Sequence, residues 1–273
     1  MRRRELQVTV SDRTVPLALT PSSAREFGTC GLRFYFGAVA GWRAPATPAA
    51  RLGTAVHETL AGLFRLPPAA RTRPAAAQLL PAGMDQPARA AAEDLIDGLF
   101  RLEDPAQVTV HPDDVELAVA GELGGAPVRG RIDRVSDAGV CRITDYKTGA
   151  APAPAHVEAA LSGVYAYAAL LTGYDRPPDE VELLYLATSS RVSRPVLRPH
   201  LADHAHRLGQ VWGEALVAAE KQSWTARTSP LCAGCAFRPA CPAVTRGAPV
   251  PGSAGADAAL IAGGLSRPEP VPA

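Results

Sequence analysis

Gly130-Arg-Ile-Asp133-Arg-Val-Ser-Asp-Ala-Gly139, followed by Val140-Cys-Arg-Ile-Thr-Asp145-Tyr-Lys147-Thr-Gly149, is the stretch that decides the fold of this chain. Its two halves read as strands, Val128 to Val135 and Cys141 to Lys147, because β-branched and apolar residues alternate with polar ones. Ser136-Asp137-Ala138-Gly139 supplies the chemistry of a hairpin turn between them. Asp145 and Lys147 fall on one face of their strand, about 7 Å apart along it. Folding about the turn sets Asp133 opposite or diagonal to Asp145, on the same face for the in-phase register. Two carboxylates beside a lysine call for a counter-charge. A divalent cation supplies it, and hard oxygen ligands suit magnesium or manganese. Such a cation lowers the pKa of a bound water and neutralises charge on a scissile phosphate, with Lys147 orienting the water. A cross-strand surface salt bridge explains the same three residues with no chemistry at all.

Outward from the hairpin, Val115 to Leu123 reads as a further strand and residues 88–102 as a helix. Upstream, Val56, Leu60, Leu63 and Phe64 make an apolar stripe at helical spacing. His57 shares a side with Leu60 and Phe64, so it points inward, as a core histidine or as a ligand. Downstream, residues 155–172 read as a helix, 181–187 as a strand and 200–221 as a long helix. Strands clustered centrally with helices around them make an α/β arrangement. Residues 1–20 read as an N-terminal extension, 21–243 as one folded domain opening on a helix over 21–30, and 67–90 as a variable connection. The Pro/Gly/Ala-rich tail 244–273 reads as disordered.

The chain has 273 residues, a net charge of +1 and 47% hydrophobic residues, so any affinity for nucleic acid is local and not global. Polar residues interrupt the start after its first arginines, and no segment approaches the roughly 20 apolar residues of a membrane span. These features imply a cytoplasmic protein with no membrane association, whose cysteines stay reduced and act as ligands. No GxxxxGK[ST] motif is present, which leaves room for a helicase partner that supplies unwound strands. Cys30 near the start and Cys232-x2-Cys235-x5-Cys241 near the end give the four thiolates of an iron–sulfur cluster or a structural zinc site. Thr228 to Pro242 has little apolar periodicity, so the thiolates are expected to be what ties the two ends together.

Gly53-Thr-Ala-Val-His57, Gly130-Arg-Ile-Asp133-Arg-Val and Asp145-Tyr-Lys147-Thr-Gly149 together resemble the RecB-like branch of the PD-(D/E)XK nucleases. Cys30-Gly-Leu-Arg33-Phe-Tyr-Phe36 and the C-terminal cysteine triplet are similar to its iron–sulfur subset, which includes the AddB nuclease domain and the CRISPR-associated adaptation exonucleases. The resemblance spans roughly residues 20–242. It implies a restriction-endonuclease-like α/β core, a central mixed sheet flanked by helices, with its ends clasped by the cluster. It further implies that His57, Asp133 and Asp145 hold the magnesium or manganese ion, with the Tyr146 carbonyl as a further ligand and Lys147 as the catalytic lysine. Cys30, Cys232, Cys235 and Cys241 would hold a [4Fe–4S] cluster. The implied activity is metal-dependent DNA hydrolysis, foremost by an exonuclease, in repair, recombination, CRISPR adaptation or phage defence, alongside a CRISPR or repair partner protein.

Two departures stand out. The family commonly places a Gln four residues before a Tyr on the helix after the catalytic strand, whereas Leu161 and Gly163 precede Tyr165 and Tyr167 here. Gly31 replaces the Pro that usually follows the first cysteine. The missing Gln leaves open a non-catalytic nucleic-acid-binding or assembly subunit as an alternative. Arg25, Arg33, Arg129, Arg131 and Tyr165 are candidate DNA contacts. Glu116 reads as a solvated strand-edge charge, with an added site carboxylate as the alternative. His200, His204 and His206 lack the accompanying ligands of a zinc site.

Overall fold

The computed structural model describes residues 4–12, 14 and 16–267. From the start of the chain come β1 (Glu5–Thr9), α1 (Pro21–Thr29), α2 (Gly31–Phe34) and α3 (Pro48–Arg65). Next are α4 (Arg73–Leu79), α5 (Gln86–Leu102) and the strands β2 (Val115–Leu123), β3 (Ala126–Asp137) and β4 (Cys141–Lys147). Then follow α6 (Val157–Gly173), β5 (Glu180–Tyr185), β6 (Ser190–Pro195), α7 (Arg198–Glu220), β7 (Ser223–Arg227) and α8 (Ala254–Ala262). The chain divides into two compact units. A sheet unit comprises Ala46–Leu123 and Arg129–His206, and a terminal unit Met1–Pro45, Gly124–Val128 and Arg207–Ala273.

The sheet unit is built on a five-stranded sheet of order β2-β3-β4-β5-β6. β3 and β4 pair antiparallel, β4 and β5 parallel across the α6 connection, and β5 and β6 antiparallel, so the sheet is mixed. β3 runs through Asp137, two residues beyond the strand read from the sequence. The turn accordingly falls on Ala138 to Val140, with Gly139 at φ +83° and its N–H donating to the Asp137 carboxylate at 3.2 Å. The side-chain period of two then places Thr144 and Tyr146 on one face of β4 and Ile143, Asp145 and Lys147 on the other.

Helix α3 starts on the Thr47 cap with Pro48 in its first turn, and α5 starts likewise on Asp85. Their apolar stripes meet the face of the sheet that presents Tyr146 and Leu184. Val56, Leu60, Leu63 and Phe64 of α3 close with Leu95, Ile96 and Leu99 of α5 into one core. The connection 67–90 is more ordered than its composition suggests. It contains α4, capped by Thr72, and beside it buried Arg71 donates to the carbonyls of Leu66, Pro105 and Val108.

In the terminal unit β1 pairs antiparallel with β7, from Glu5 opposite Arg227 to Thr9 opposite Ser223. The N-terminal extension is thus part of a two-stranded sheet. Trp224 is fully buried and packs against Phe27, Phe34 and Tyr35 at ring separations of 6.5, 5.8 and 5.5 Å. Phe36 stacks on Phe237 at 5.2 Å. Burial therefore also ties residues 27–36 to 224–237, which corrects the expectation that thiolates alone do so. The tail read as disordered carries α8, capped by Ser253, with Ala256 and Leu260 fully buried. Its Ala-Ala-Leu-Ile-Ala run gives the helix an apolar side that composition alone conceals. Residues 268–273 of that tail, and 1–3 of the extension, lie outside the described residues.

Phe237→Ala should lower unfolding stability by about 3 kcal/mol through the lost burial and stacking. Leu231→Ala, at an exposed position on the same segment, should leave it nearly unchanged. Denaturant unfolding of the two variants checks this, and equal effects would mean the segment does not dock by burial.

Candidate active site

The rungs of the β3–β4 ladder run from Asp137–Cys141 to Arg134–Thr144. Asp133 and Asp145 follow immediately after the last rung, so the in-phase register expected from the sequence is the one formed. The Tyr146 N–H donates to Asp133 Oδ2 at 2.7 Å, fixing that carboxylate at the mouth of the hairpin. From α3, His57 Nδ1 reaches Asp133 Oδ1 at 3.3 Å. Gly53 on the same helix leaves room for Thr148, whose hydroxyl lies 3.5 Å from where a Cβ would stand.

Glu116 completes the group. It occupies the edge strand β2 but sits at φ +57°, a left-handed conformation that is strained for any residue except glycine. Its side chain is largely buried, and ligand atoms of His57, Glu116 and Asp133 lie within 4.8 Å of one another. The reading of Glu116 as a solvated edge charge is thus corrected, since nothing in the sequence signals the backbone conformation that re-aims it. Asp145 stands beside this group and not within it. Its carboxylate is paired with Lys147 Nζ at 2.5 Å.

The electrostatics follow from this crowding. Burial alone would depress the His57 pKa, but the hydrogen bond and charge of Asp133, then Asp145 and Glu116, override it and raise the value above 6.5. Burial, with the charge of Asp133, pushes Glu116 up. Asp145 is raised by burial, Lys147 opposing and Asp133 adding to the effect. An open groove of about 1200 Å³ runs along α3, floored by Ala49, Ala50, Gly53 and Ala61, with His57, Glu116 and Asp133 at one side and Arg65, Arg131 and Thr148 among its walls.

The candidate DNA contacts separate. Arg131 lies at the groove with Nε 3.7 Å from Glu116, and Arg129 is exposed on β3. Arg33 and Arg25 belong to the terminal unit, Arg33 paired to Glu26 at 2.5 Å and Arg25 exposed. Tyr165 is buried, its ring stacked on His204 at 4.8 Å with His200 at its edge. Tyr167 is the tyrosine at the site. Burial raises its pKa, Asp145 and Asp133 add to that, and the backbone of Arg131 hydrogen-bonds its phenol. A Cβ at Gly130 would stand 2.4 Å from that ring, so any side chain there would force the ring to move. The Gly130 of the motif was the available signal for Tyr167.

In the terminal unit Cys30, Cys232, Cys235 and Cys241 line one pocket, with Arg33, Phe36 and Phe237. Backbone amides point at the sulfurs: Arg227 N–H at 3.5 Å from Cys30 Sγ and Ser229 N–H at 3.4 Å from Cys232 Sγ. Burial pushes the Cys235 and Cys241 thiols up, while amides of Phe237 and of Ala243 and Val244 act the other way. Amide donation favours thiolates, the form in which cysteine binds a metal. Cys141, in β4, takes no part in this pocket.

The profile of the PD-(D/E)XK nuclease superfamily matches residues 18–242. The fold is similar to a crystal structure of a “putative exonuclease” from Eubacterium rectale, at 13% identity and a TM-score of 0.55, covering 80% of this chain and 87% of that one. No curated protein matches the sequence significantly. No helix of the described residues is long and apolar enough to cross a membrane.

Because His57, Glu116 and Asp145 all hold protons to higher pH than isolated side chains, a cation at this site competes with protons. Manganese affinity should fall as pH is lowered through these raised values, and binding should release protons. Calorimetric titration in buffers of differing ionisation enthalpy measures both. Affinity that does not change with pH would remove these groups from the ligand set.

Proposed function

Since the chain belongs to the PD-(D/E)XK nuclease superfamily, we propose that it is a magnesium- or manganese-dependent deoxyribonuclease of the RecB-like branch, acting as an exonuclease on DNA ends or single strands. The observation that carries this reading is the convergence of His57, Glu116 and Asp133 at the mouth of the β3–β4 hairpin, beside the Asp145–Lys147 pair. Hard carboxylate oxygens with a borderline imidazole nitrogen make a mixed N/O donor set that fits a divalent cation. His57, Asp133 and Asp145 would hold the ion, with Glu116 and the Tyr146 carbonyl completing its surroundings. When bound, the cation lowers the pKa of an attacking water and offsets phosphate charge.

The chain's own side chains do the rest. Lys147 Nζ, at the open end of β4, donates to the attacking water or to the scissile phosphate. Arg131 and Arg65 face the groove where the phosphodiester backbone would lie, and neutralise it without reading sequence. The small residues Ala49, Ala50 and Gly53 of α3 let that backbone approach the helix closely. Tyr167, in place of Tyr165, would offer its phenol beside the carboxylates.

We assign a [4Fe–4S] cluster to the cysteine pocket. Four thiolates with amides directed at them fit either iron–sulfur or zinc. The resemblance of Cys30-Gly-Leu-Arg33-Phe-Tyr-Phe36 and of the C-terminal cysteine triplet to the iron–sulfur subset of these nucleases is what favours iron.

Lys147→Ala and Asp145→Ala should each reduce metal-dependent DNA cleavage by about a thousandfold or more while leaving the melting temperature nearly unchanged. Digestion of labelled single- and double-stranded DNA with each metal checks this. Wild-type protein that cuts neither form, with its cysteine centre intact, would reject the nuclease reading. Protein purified without oxygen should be brown and carry about four irons per chain. Stoichiometric zinc in a colourless preparation would reject the cluster and leave the catalytic reading standing.

A further inference from the structure

Directly behind the carboxylates, on the opposite face of the sheet, lies a set of charges that the proposed chemistry does not use. Arg134 is 1% exposed, and its guanidinium grips Glu103 through both carboxylate oxygens, at 2.5 and 3.0 Å. Its Nη2 also donates to Thr144 Oγ1 at 3.2 Å, and the Thr144 hydroxyl donates in turn to Glu182 Oε1 at 2.6 Å. Glu182 is wholly buried, and Arg191 Nε stands 3.5 Å from its second oxygen. The guanidinium lies over the Phe64 ring at 4.4 Å and the Tyr146 ring at 5.6 Å. Two arginines and two glutamates thus balance in charge.

These residues form a row across the strands. Arg134 is opposite Thr144, Thr144 opposite Glu182, and Glu182 opposite Ser193. The row is one residue behind Asp133 and Asp145, and its first rung is the last rung of the β3–β4 ladder. Buried ion pairs contribute little net stability compared with apolar packing of the same size. What they add is a penalty for misalignment, because a slipped strand strands Arg134 or Glu182 without a partner. A one-residue slip would also send Asp145 to the wrong face.

Resting on the metal-dependent reading above, we propose that Arg134, Thr144, Glu182 and Glu103 are positioning residues: a buried register lock that sets the separation of Asp133 and Asp145 and thereby the affinity of the catalytic cation site. None of them touches the cation or the substrate. Their effect passes through the backbone of the next residue on each strand.

Thr144→Val keeps the shape of the side chain and removes both hydrogen bonds, whereas Thr144→Ser loses a methyl group and keeps them. Titration of manganese into the full-length metal-free protein, with the electron paramagnetic resonance of the bound ion, reads the site directly. Thr144→Val should weaken manganese binding about tenfold or more, as loss of an outer partner typically does, and broaden the spectrum. Thr144→Ser should bind like wild type despite its lower melting temperature. Val181→Ala, a buried truncation one residue from Glu182, should melt earlier with unchanged manganese affinity. If Thr144→Val does not accumulate as folded protein, Glu182→Gln poses the same question, keeping size and an acceptor while losing the charge, and should weaken binding likewise. Wild-type affinity in Thr144→Val or Glu182→Gln, or equal losses in the valine and serine variants, would overturn the lock while leaving an active wild-type nuclease untouched. A wild type that neither binds manganese nor cuts DNA would overturn the nuclease reading and the lock with it.

Discussion

The pairing of Arg134 with Thr144 is the contact on which the rest of the sheet unit depends. A strand displays its side chains with a period of two, so the phase of one rung fixes the face of every residue beyond it. Past that rung β3 and β4 part, and the Tyr146 N–H turns to the Asp133 carboxylate instead of a strand partner. That departure opens the mouth into which His57 reaches from α3. An antiparallel hairpin with a short turn is the cheapest way to bring residues from two strands together. The parallel β4–β5 pairing then anchors β4 in the middle of the sheet.

The site itself works against folding. Glu116 takes a left-handed conformation that costs about 1–3 kcal/mol, and burial raises the pKa of both Glu116 and Asp145. A carboxylate whose folded pKa lies above its unfolded one stabilises the fold only when protonated, so near neutral pH these two groups oppose folding. His57 has the opposite sign of charge. Its raised pKa contributes stability at acid pH that is lost as pH rises through the raised value. The core of α3 and α5 against Tyr146 and Leu184 offsets these costs. A cation at the site would reverse the carboxylate contribution, which links occupancy to stability.

Much of this was legible in the sequence, for identifiable reasons. β2, β3, β4, α5 and α6 announce themselves through period and turn residues, and the phase of Asp133 with Asp145 follows from strand geometry alone. Short elements are harder to read. β1 and β7 are five residues each and exist through pairing with partners more than two hundred positions away, which no local window contains. α8 hides in a segment whose proline and glycine content reads as disorder. At the site, Glu116 was misplaced because strand alternation assumes regular backbone, and its φ of +57° breaks the alternation. Tyr165 and Tyr167 differ by two positions on a helix, about 200° of rotation, so only the packing of α6 could show which one meets the carboxylates. Gly130 held the clue, since its missing Cβ is what admits the Tyr167 ring.

The terminal unit is held together by burial around its cysteine pocket. Phe36 on Phe237, and Trp224 among Phe27, Phe34 and Tyr35, supply an apolar interface between the first and last segments. The cysteines lie around a pocket within that frame, and amides from β7 and the turns after it already point at their sulfurs. A zinc finger lacks such a frame and gains its fold from the metal. Here the frame is shaped by aromatic packing, so a metal held by these thiolates would add its binding energy to an existing fold instead of creating one.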